Sequence, residues 1–450
     1  MDQNTAYISN YLFLPRKFVS VAPIRYSLAI GDMPSDSLLT DTHIRVPRHF
    51  LDVKNTEVPY SVEEITHNAE SIDVEAKTSL RPGQINALQA MIDNKNGILN
   101  LGCGHGKTVV SLHYLAHTKT KTIIVVNRAN LIDQWREEID KHLDIKPKKI
   151  GIVQGKKFEW ENKDIVLATI QTLVKRIDGN EEFFKSFGLV IFDECHHLSA
   201  PVFKQICPLF HGLRHGLSAT PKREDGYQNA FIYHLGPVYY SDISQEIVPK
   251  SYFVKTDIKD DDVADEAYDV AGEIHHRKLC AWLGSLQNRN EIIFNIIDRL
   301  LNNGHKILCL SHSVEHVQEM HKLRLDSGIA CGDVDPEKRR EEIENNPLSF
   351  GTIDVAAEAL NVPSLSALIV MTPFGAKTQG NILQQSLGRI QRRCPGKNDA
   401  IAIFIEDDIG MCSSLTRQIK KRLREWDYPY EETNSSKLVQ SLSKGTLAFD

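Results

Sequence analysis

The sequence predicts an α/β protein: two tandem domains, each a parallel sheet covered by helices, behind a small N-terminal accessory domain. Three observations carry this reading. From Ser79 onward, short apolar runs alternate with longer segments of helical periodicity. The alternation pauses in one acidic stretch and then resumes. The first 78 residues instead show β-type runs punctuated by proline and glycine. A length of 450 residues suits about three domains at roughly 150 residues each.

In residues 1–78, the runs Tyr11–Leu14, Phe18–Ala22 and Tyr26–Ile30 read as strands, with Pro15, Pro23, Gly31 and Pro34 as breaks. Residues 79–255 form the first sheet domain. Ile98–Leu101, Thr122–Val126, Ile165–Ala168 and Leu189–Phe192 are apolar on both faces, as parallel strands under two helical layers must be. Between them, Ala129–Leu143 reads as a helix with Leu131, Ile132, Trp135, Ile139 and Leu143 on its inner side, Trp135 being a packing residue. Residues 256–274, with Asp260, Asp261 and Asp262, read as an acidic linker. Residues 275–427 form the second sheet domain, with a helix at Glu291–Leu301 and strands at Lys306–Leu310, Leu368–Met371 and Ala400–Ile405. Within it, Leu415, Ile419, Leu423 and Trp426 make one helical stripe that leaves Lys420, Lys421, Arg422 and Arg424 as a solvated basic face. Residues 428–450 read as a polar tail, partly mobile.

Composition narrows the function classes. Hydrophobic residues are 41% and charged residues 25%, a globular balance that argues against wholesale disorder. The net charge of −6 excludes a polycation that binds nucleic acid through bulk charge, but leaves room for a local basic groove. Eight cysteines without a C-x-x-C pair argue against a disulfide framework or a zinc ribbon, so no disulfide partner is expected. No secretory leader and no apolar run of membrane length are visible, which predicts a cytoplasmic protein with no membrane partner.

The strongest local signal is Gly102-Cys103-Gly104-His105-Gly106-Lys107-Thr108, between a strand and the helix Val109–Ala116. Glycines let backbone N–H groups face phosphate oxygens, Lys107 can reach the β- and γ-phosphates of ATP, and the Thr108 hydroxyl can ligate Mg²⁺. The strict motif has glycine where Leu101 stands. About 85 residues later, the apolar run Val190–Phe192 ends in Asp193-Glu194. There Asp193 can hold Mg²⁺ through water and Glu194 can polarise an attacking water. Cys195, His196 and His197 are consecutive and do not read as a further metal site.

These motifs and those around them resemble superfamily 2 helicases of the DExH type, in order, from about Leu80 to Arg393. The arrangement is similar to phage-encoded branch-migration helicases and to XPB-like repair helicases, whose phosphate loop carries leucine where Leu101 stands. The resemblance implies two RecA-like domains with ATP in the cleft between them. It implies that Gln84, supported by Arg81, reads adenine; that Arg128, Thr169, Gln171 and Thr352 lie along the nucleic-acid strand; and that Ser218 and Thr220 couple the ATP state to that strand. Ile307–Val317 resembles the first motif of the second domain. The segment Glu358–Pro363 departs from the family pattern, with Ala359 in place of glycine and Asn361 in place of aspartate. Arg389 and Arg392 of Gln385–Arg392 would approach the γ-phosphate, with Arg392 as arginine finger.

On this resemblance the expected function is an ATP- and Mg²⁺-dependent DNA helicase or translocase. It would work as a monomer on branched DNA, forks and four-way junctions, in a bacterial or phage-infected cytoplasm. An RNA helicase, and a clamp that uses ATP only as a switch, are the competing readings.

Overall fold

The computed structural model describes residues 4–28, 37–54, 61–64, 69–102, 104–195, 200–219, 229–242, 247–332, 334–353, 362–374, 383, 384, 386–392, 394, 396, 397 and 399–443. It divides into two compact units, Met1–Ile243 and Ser244–Asp450.

In the first unit, β1 (Thr5–Ile8), β2 (Tyr11–Pro15), β3 (Leu38–Leu39), β4 (His43–Pro47) and β5 (Ser61–Glu64) form a mixed sheet in the order β3-β4-β2-β1-β5. The strands expected at Phe18–Ala22 and Tyr26–Ile30 do not form among the described residues: a turn covers 16–18, and Val21–Leu28 is a helix. Pro23 lies in its first turn, where a missing N–H costs nothing, and Ile24 and Leu28, one turn apart, are both buried. The strands that follow are β6 (Glu75–Ala76), β7 (Gly97–Leu101), β8 (Thr122–Val126), β9 (Leu143–Asp144), β10 (Ile150–Gln154), β11 (Lys157–Phe158), β12 (Ile165–Thr169), β13 (Leu189–Phe192), β14 (Leu213–Ser218) and β15 (Val238–Asp242). Eight of them make one sheet, β11-β10-β12-β8-β13-β14-β7-β15. It is parallel throughout except for β10 with β11.

Alternate residues of each central strand enter opposite cores. Leu99, Ile124, Leu167 and Ile191 join the layer that holds Trp135 and Ile139, while Ile98, Ile123, Val166 and Val190 join the layer that holds Phe183, Phe187 and Phe210. This two-faced burial is why the strand segments read as unbroken apolar runs.

The N-terminal module is not a separate body. Its core takes in Tyr233 from the helix Asn229–Leu235. Arg214 on β14 is wholly buried and donates to the carbonyls of Asn10 (2.8 Å), Phe210 (2.6 Å) and His234 (3.1 Å). Arg48 donates to the carbonyls of His211 and Gly212, and Asn10 Nδ2 to that of Pro208.

The second unit contains β16 (Lys250–Lys259), β17 (Ile307–Ser311), β18 (Gly328–Ala330), β19 (Leu348–Thr352), β20 (Ala367–Val370), β21 (Ile401–Asp408) and β22 (Tyr430–Asn434). They form a wholly parallel sheet, β18-β19-β17-β20-β21-β16-β22. Three boundaries differ from the sequence reading. The first domain ends at Ile243, because Lys250–Lys259 pairs with β21 and β22. The acidic stretch 256–274 is folded rather than a linker: Ile258 and Ala267 are buried with Leu279, Trp282, Leu283 and Ile409, while its aspartates face outward. Asp260 accepts from the N–H of Gly410, at the start of the helix Gly410–Glu425. The polar tail supplies β22 and a helix, Ser435–Ser443, whose Leu438 and Leu442 enter the core. The stripe on Gly410–Glu425 packs as expected, with Ile419 and Leu423 buried and Trp426 against the same cluster. Its Lys420 is tied to Glu406 and Glu432.

A buried ion pair pins this unit. Arg289 grips Asp407 with two bonds (Nε to Oδ1 3.0 Å, Nη2 to Oδ2 2.9 Å), both side chains fully buried. Arg289 also donates to Met371 O, and Thr256 Oγ1 to Asp407 Oδ1 (2.7 Å), so one helix and the ends of three strands share the pair.

Arg214→Ala leaves three carbonyls, those of Phe210 and His234 in buried bonds, without this donor. It should lower the unfolding free energy by about 2–4 kcal/mol, read from the urea midpoint.

Candidate ATP site

The site lies at the C-terminal ends of β7 and β13, where charged groups can leave a sheet whose interior is apolar. The phosphate loop leaves β7 and enters the helix Lys107–Thr118 through Gly104 (φ +88°) and Gly106 (φ +79°). Both are left-handed backbone conformations that favour glycine. At Gly106 a Cβ would also lie 2.3 Å from Gln84 Nε2.

Gln84 is buried beside this loop. It accepts from the backbone N–H of Arg81 (2.9 Å) and donates to His105 O (3.1 Å), while Arg81 Nη2 donates to Gly104 O (3.1 Å). Arg81 and Gln84, predicted from the sequence as nucleotide-reading residues, thus brace the loop in this conformation. Two further ties come from β15: Gly102 N–H donates to Asp242 O (2.9 Å), and His105 Nδ1 lies 3.6 Å from Asp242 Oδ2. Cys103 is outside the described residues.

The phosphate loop and the acidic pair meet. Lys107 Nζ lies 3.5 Å from Glu194 Oε1 and 3.2 Å from Leu101 O. Glu194 has φ +45°, a left-handed backbone that a residue with a Cβ adopts at a cost of order 1–3 kcal/mol. Asp193 is buried. Its Oδ2 accepts from Trp135 Nε1 (2.8 Å) and its Oδ1 from the N–H of Glu194 (3.0 Å). Burial, reinforced by the Glu194 charge, raises the Asp193 pKa to about 6 against the pull of Trp135 and Lys107. Two carboxylates thus face one lysine, and the site carries an excess of negative charge. Together with the Thr108 hydroxyl next to Lys107, that oxygen donor set fits Mg²⁺.

In the first unit, the other sequence-derived residues fall at neighbouring strand ends or just beyond them. Thr169 ends β12, and its hydroxyl contacts Thr172 Oγ1 (2.8 Å). Gln171, in the short helix Ile170–Val174, donates to Asn127 O (2.7 Å), tying that helix to the loop that carries the exposed Arg128. Ser218 ends β14 and is wholly buried. With the Asn100 amide of β7 turned to the orientation that pairs both its oxygen and its nitrogen, it donates to the carbonyls of Ser218 and Ala219 (3.2 Å each) and accepts from Ser241 Oγ. That bond links the phosphate strand to the segment expected to couple ATP to the strand site. Thr220 lies outside the described residues. In the second unit, Thr352 ends β19, Arg389 is buried, and Arg392 is half-buried. Glu358, Ala359 and Asn361 lie outside the described residues. Sequence reasoning missed Trp135 as the partner of Asp193. The only local signal was a tryptophan on the buried face of a helix, which does not name an acceptor 58 positions away.

Comparisons with known proteins identify the family. The family model "Type III restriction enzyme, res subunit" matches residues 77–223. A "DNA 3'-5' translocase XPB2" of Sulfurisphaera tokodaii is 30% identical over 379 residues, covering 74% of this chain and 82% of that protein. The chain belongs to the superfamily 2 helicases, in the XPB group. A protein of Acanthamoeba polyphaga mimivirus whose name describes an ATP-dependent RNA helicase is 27% identical, over 77% of this chain and 66% of its own length. Yeast Dbp5, solved with RNA and ADP BeF3, is similar in fold with a TM-score of 0.55 at 11% identity, covering 81% of this chain and 97% of that one. Among the described residues, no helix of this helicase is long and apolar enough to cross a membrane.

Lys107→Ala should reduce ATP hydrolysis at least about 100-fold while leaving the thermal melt within a few degrees; steady-state phosphate release measures this. A second outcome follows from Asp193. Its folded pKa lies above the ordinary 3.8, so the unfolded chain releases this proton first, and the group costs stability progressively as pH rises from about 4 to about 6. In EDTA, the wild type should therefore lose stability between about pH 4 and pH 6, and Asp193→Asn should lack that pH-dependent loss; urea midpoints across the pH series measure it.

Proposed function

We propose that this helicase is an ATP-dependent DNA translocase that unwinds or branch-migrates forked and four-way-junction DNA. The observation that carries the reading is the meeting of the phosphate loop with the acidic pair, Lys107 Nζ lying 3.5 Å from Glu194 Oε1. That arrangement suits nucleotide hydrolysis rather than nucleotide storage, because it sets a carboxylate that can orient a water beside a lysine that can hold phosphate charge. Thr108 and Asp193 would hold Mg²⁺, which supplies positive charge at the phosphates when bound. Arg81 and Gln84 would read the adenine. Arg389 and Arg392 would bring further positive charge to the γ-phosphate, by the likeness of their motif to the family's. The archaeal translocase supports DNA as the polymer.

Arg128, Thr169, Gln171 and Thr352 would follow the DNA strand, with Ser218 and Thr220 coupling that contact to the ATP state. Branched DNA as the preferred form rests on the likeness to phage and repair helicases, and a monomer is the simplest working unit. The mimivirus relative supports a second reading, an RNA helicase with the same ATP chemistry.

Steady-state ATPase across single-stranded, duplex, forked and four-way-junction DNA and matched RNAs tests both readings. Stimulation by forks or junctions, several-fold above linear DNA, is the expected outcome. Stimulation by RNA alone would establish the second reading, and hydrolysis indifferent to every polymer would overturn both. Arg392→Ala should lose hydrolysis by two or more orders of magnitude, in the range of an arginine finger.

A further inference from the structure

We propose that Trp135 is a positioning residue that couples nucleic-acid contact to ATP hydrolysis, its indole holding the Asp193 carboxylate from a helix that starts at the strand-contact loop. This deepens the reading above and rests on it.

The helix Asn130–His142 follows β8 directly through Asn127–Ala129. This single element grips Asp193 twice. Its strand accepts the Asp193 backbone N–H at Val125 O (2.9 Å), and its helix donates Trp135 Nε1 to Asp193 Oδ2 (2.8 Å). Trp135 is 2% exposed. A buried indole N–H needs an acceptor, and a backbone carbonyl would satisfy it. Here the acceptor is the carboxylate that closes the ATP site.

The other end of the same element faces the polymer. Arg128 is exposed in the connecting loop, and Asn127 O accepts from Gln171 in the first turn of the short helix Ile170–Val174 (2.7 Å), so that helix and the Arg128 loop are held as one ledge. A phosphate pulled onto Arg128 therefore bears on the first turn of a helix whose second turn orients Asp193. A hydrogen bond to an ionised acceptor depends strongly on length and angle. A small tilt of the helix thus changes the position of the carboxylate without any large rearrangement. Ile132, in the first turn between Arg128 and Trp135, seats the helix on the sheet, so a pull at that turn is passed on to Trp135.

The test measures ATPase with and without single-stranded and forked DNA for the full chain, Trp135→Phe, Arg128→Ala and the double variant. It is accompanied by DNA affinity without nucleotide and by thermal melts. Trp135→Phe should lower the ratio of stimulated to basal rate about five- to tenfold. The loss should fall on kcat more than on KM for ATP, with nucleotide-free DNA affinity within about twofold of wild type. Arg128→Ala should lower the ratio in the wild-type background and add little in Trp135→Phe, since residues acting through one linkage are not additive. Ile139→Val, which loosens the same helix without removing a donor, should shift the melt and leave the ratio alone.

An unchanged ratio in Trp135→Phe, or fully additive losses in the double variant, would overturn the proposal. So would an equal loss of ratio in Ile139→Val, which would make Trp135 a packing residue only. A wild type stimulated by no polymer would overturn the parent reading and this inference with it, whereas a stimulated wild type beside a normally stimulated Trp135→Phe would overturn this inference alone.

Discussion

Strands buried on both faces have nowhere to place a charge except at their ends. In the first large sheet, the alternate residues of β7, β8, β12 and β13 all enter apolar layers, so Lys107, Asp193, Glu194, Arg128, Thr169 and Gln171 sit at the strand C-termini or in the turns and first helical residues that follow them. Parallel pairing puts those termini on one edge. Lys107 and Glu194 are 87 positions apart yet 3.5 Å in space, because β7 and β13 flank β14 in one parallel run and their C-termini open on the same edge.

That edge carries tension. Asp193 is kept in a buried position that opposes its ionisation, and Glu194 holds a left-handed backbone. Both are costs that a stably packed sheet can absorb, and both favour a counter-charge entering the site. The loop opposite is braced rather than strained. Gln84 and Arg81 hold the carbonyls of His105 and Gly104, and the glycines take the conformations that side chains would resist.

The buried cations away from the site set shape rather than chemistry. Arg214 ties the N-terminal module to β14 through backbone carbonyls, and Arg289 with Asp407 ties a helix to the ends of three strands. Such groups are costly to desolvate and more costly to leave half-paired, so they tolerate few alternative packings. The N-terminal module therefore belongs to the first unit, and its deletion would remove the Asn10 carbonyl that Arg214 now holds.

The sequence alone determined the α/β class, the main strand and helix spans, the phosphate loop and the acidic pair, because each is written in a local pattern of period, glycine or charge. Trp135 read correctly as buried, but its donation to Asp193 spans 58 positions and leaves no local trace. The acidic stretch 256–274 looked like a linker because its aspartates face solvent, while the few apolar residues that fold it, Ile258 and Ala267, are too sparse to show a period. Residues 430–434 looked like a tail because β22 is an edge strand whose glutamates point outward. The helix ending at Leu28 was taken for a strand because Tyr, Ile and Val favour strands locally, whereas its burial against the module's sheet selects the helical period. Tertiary structure alone decided these, since pairing partners, buried ion pairs and sheet edges are properties of which segments meet, and no segment carries that information by itself.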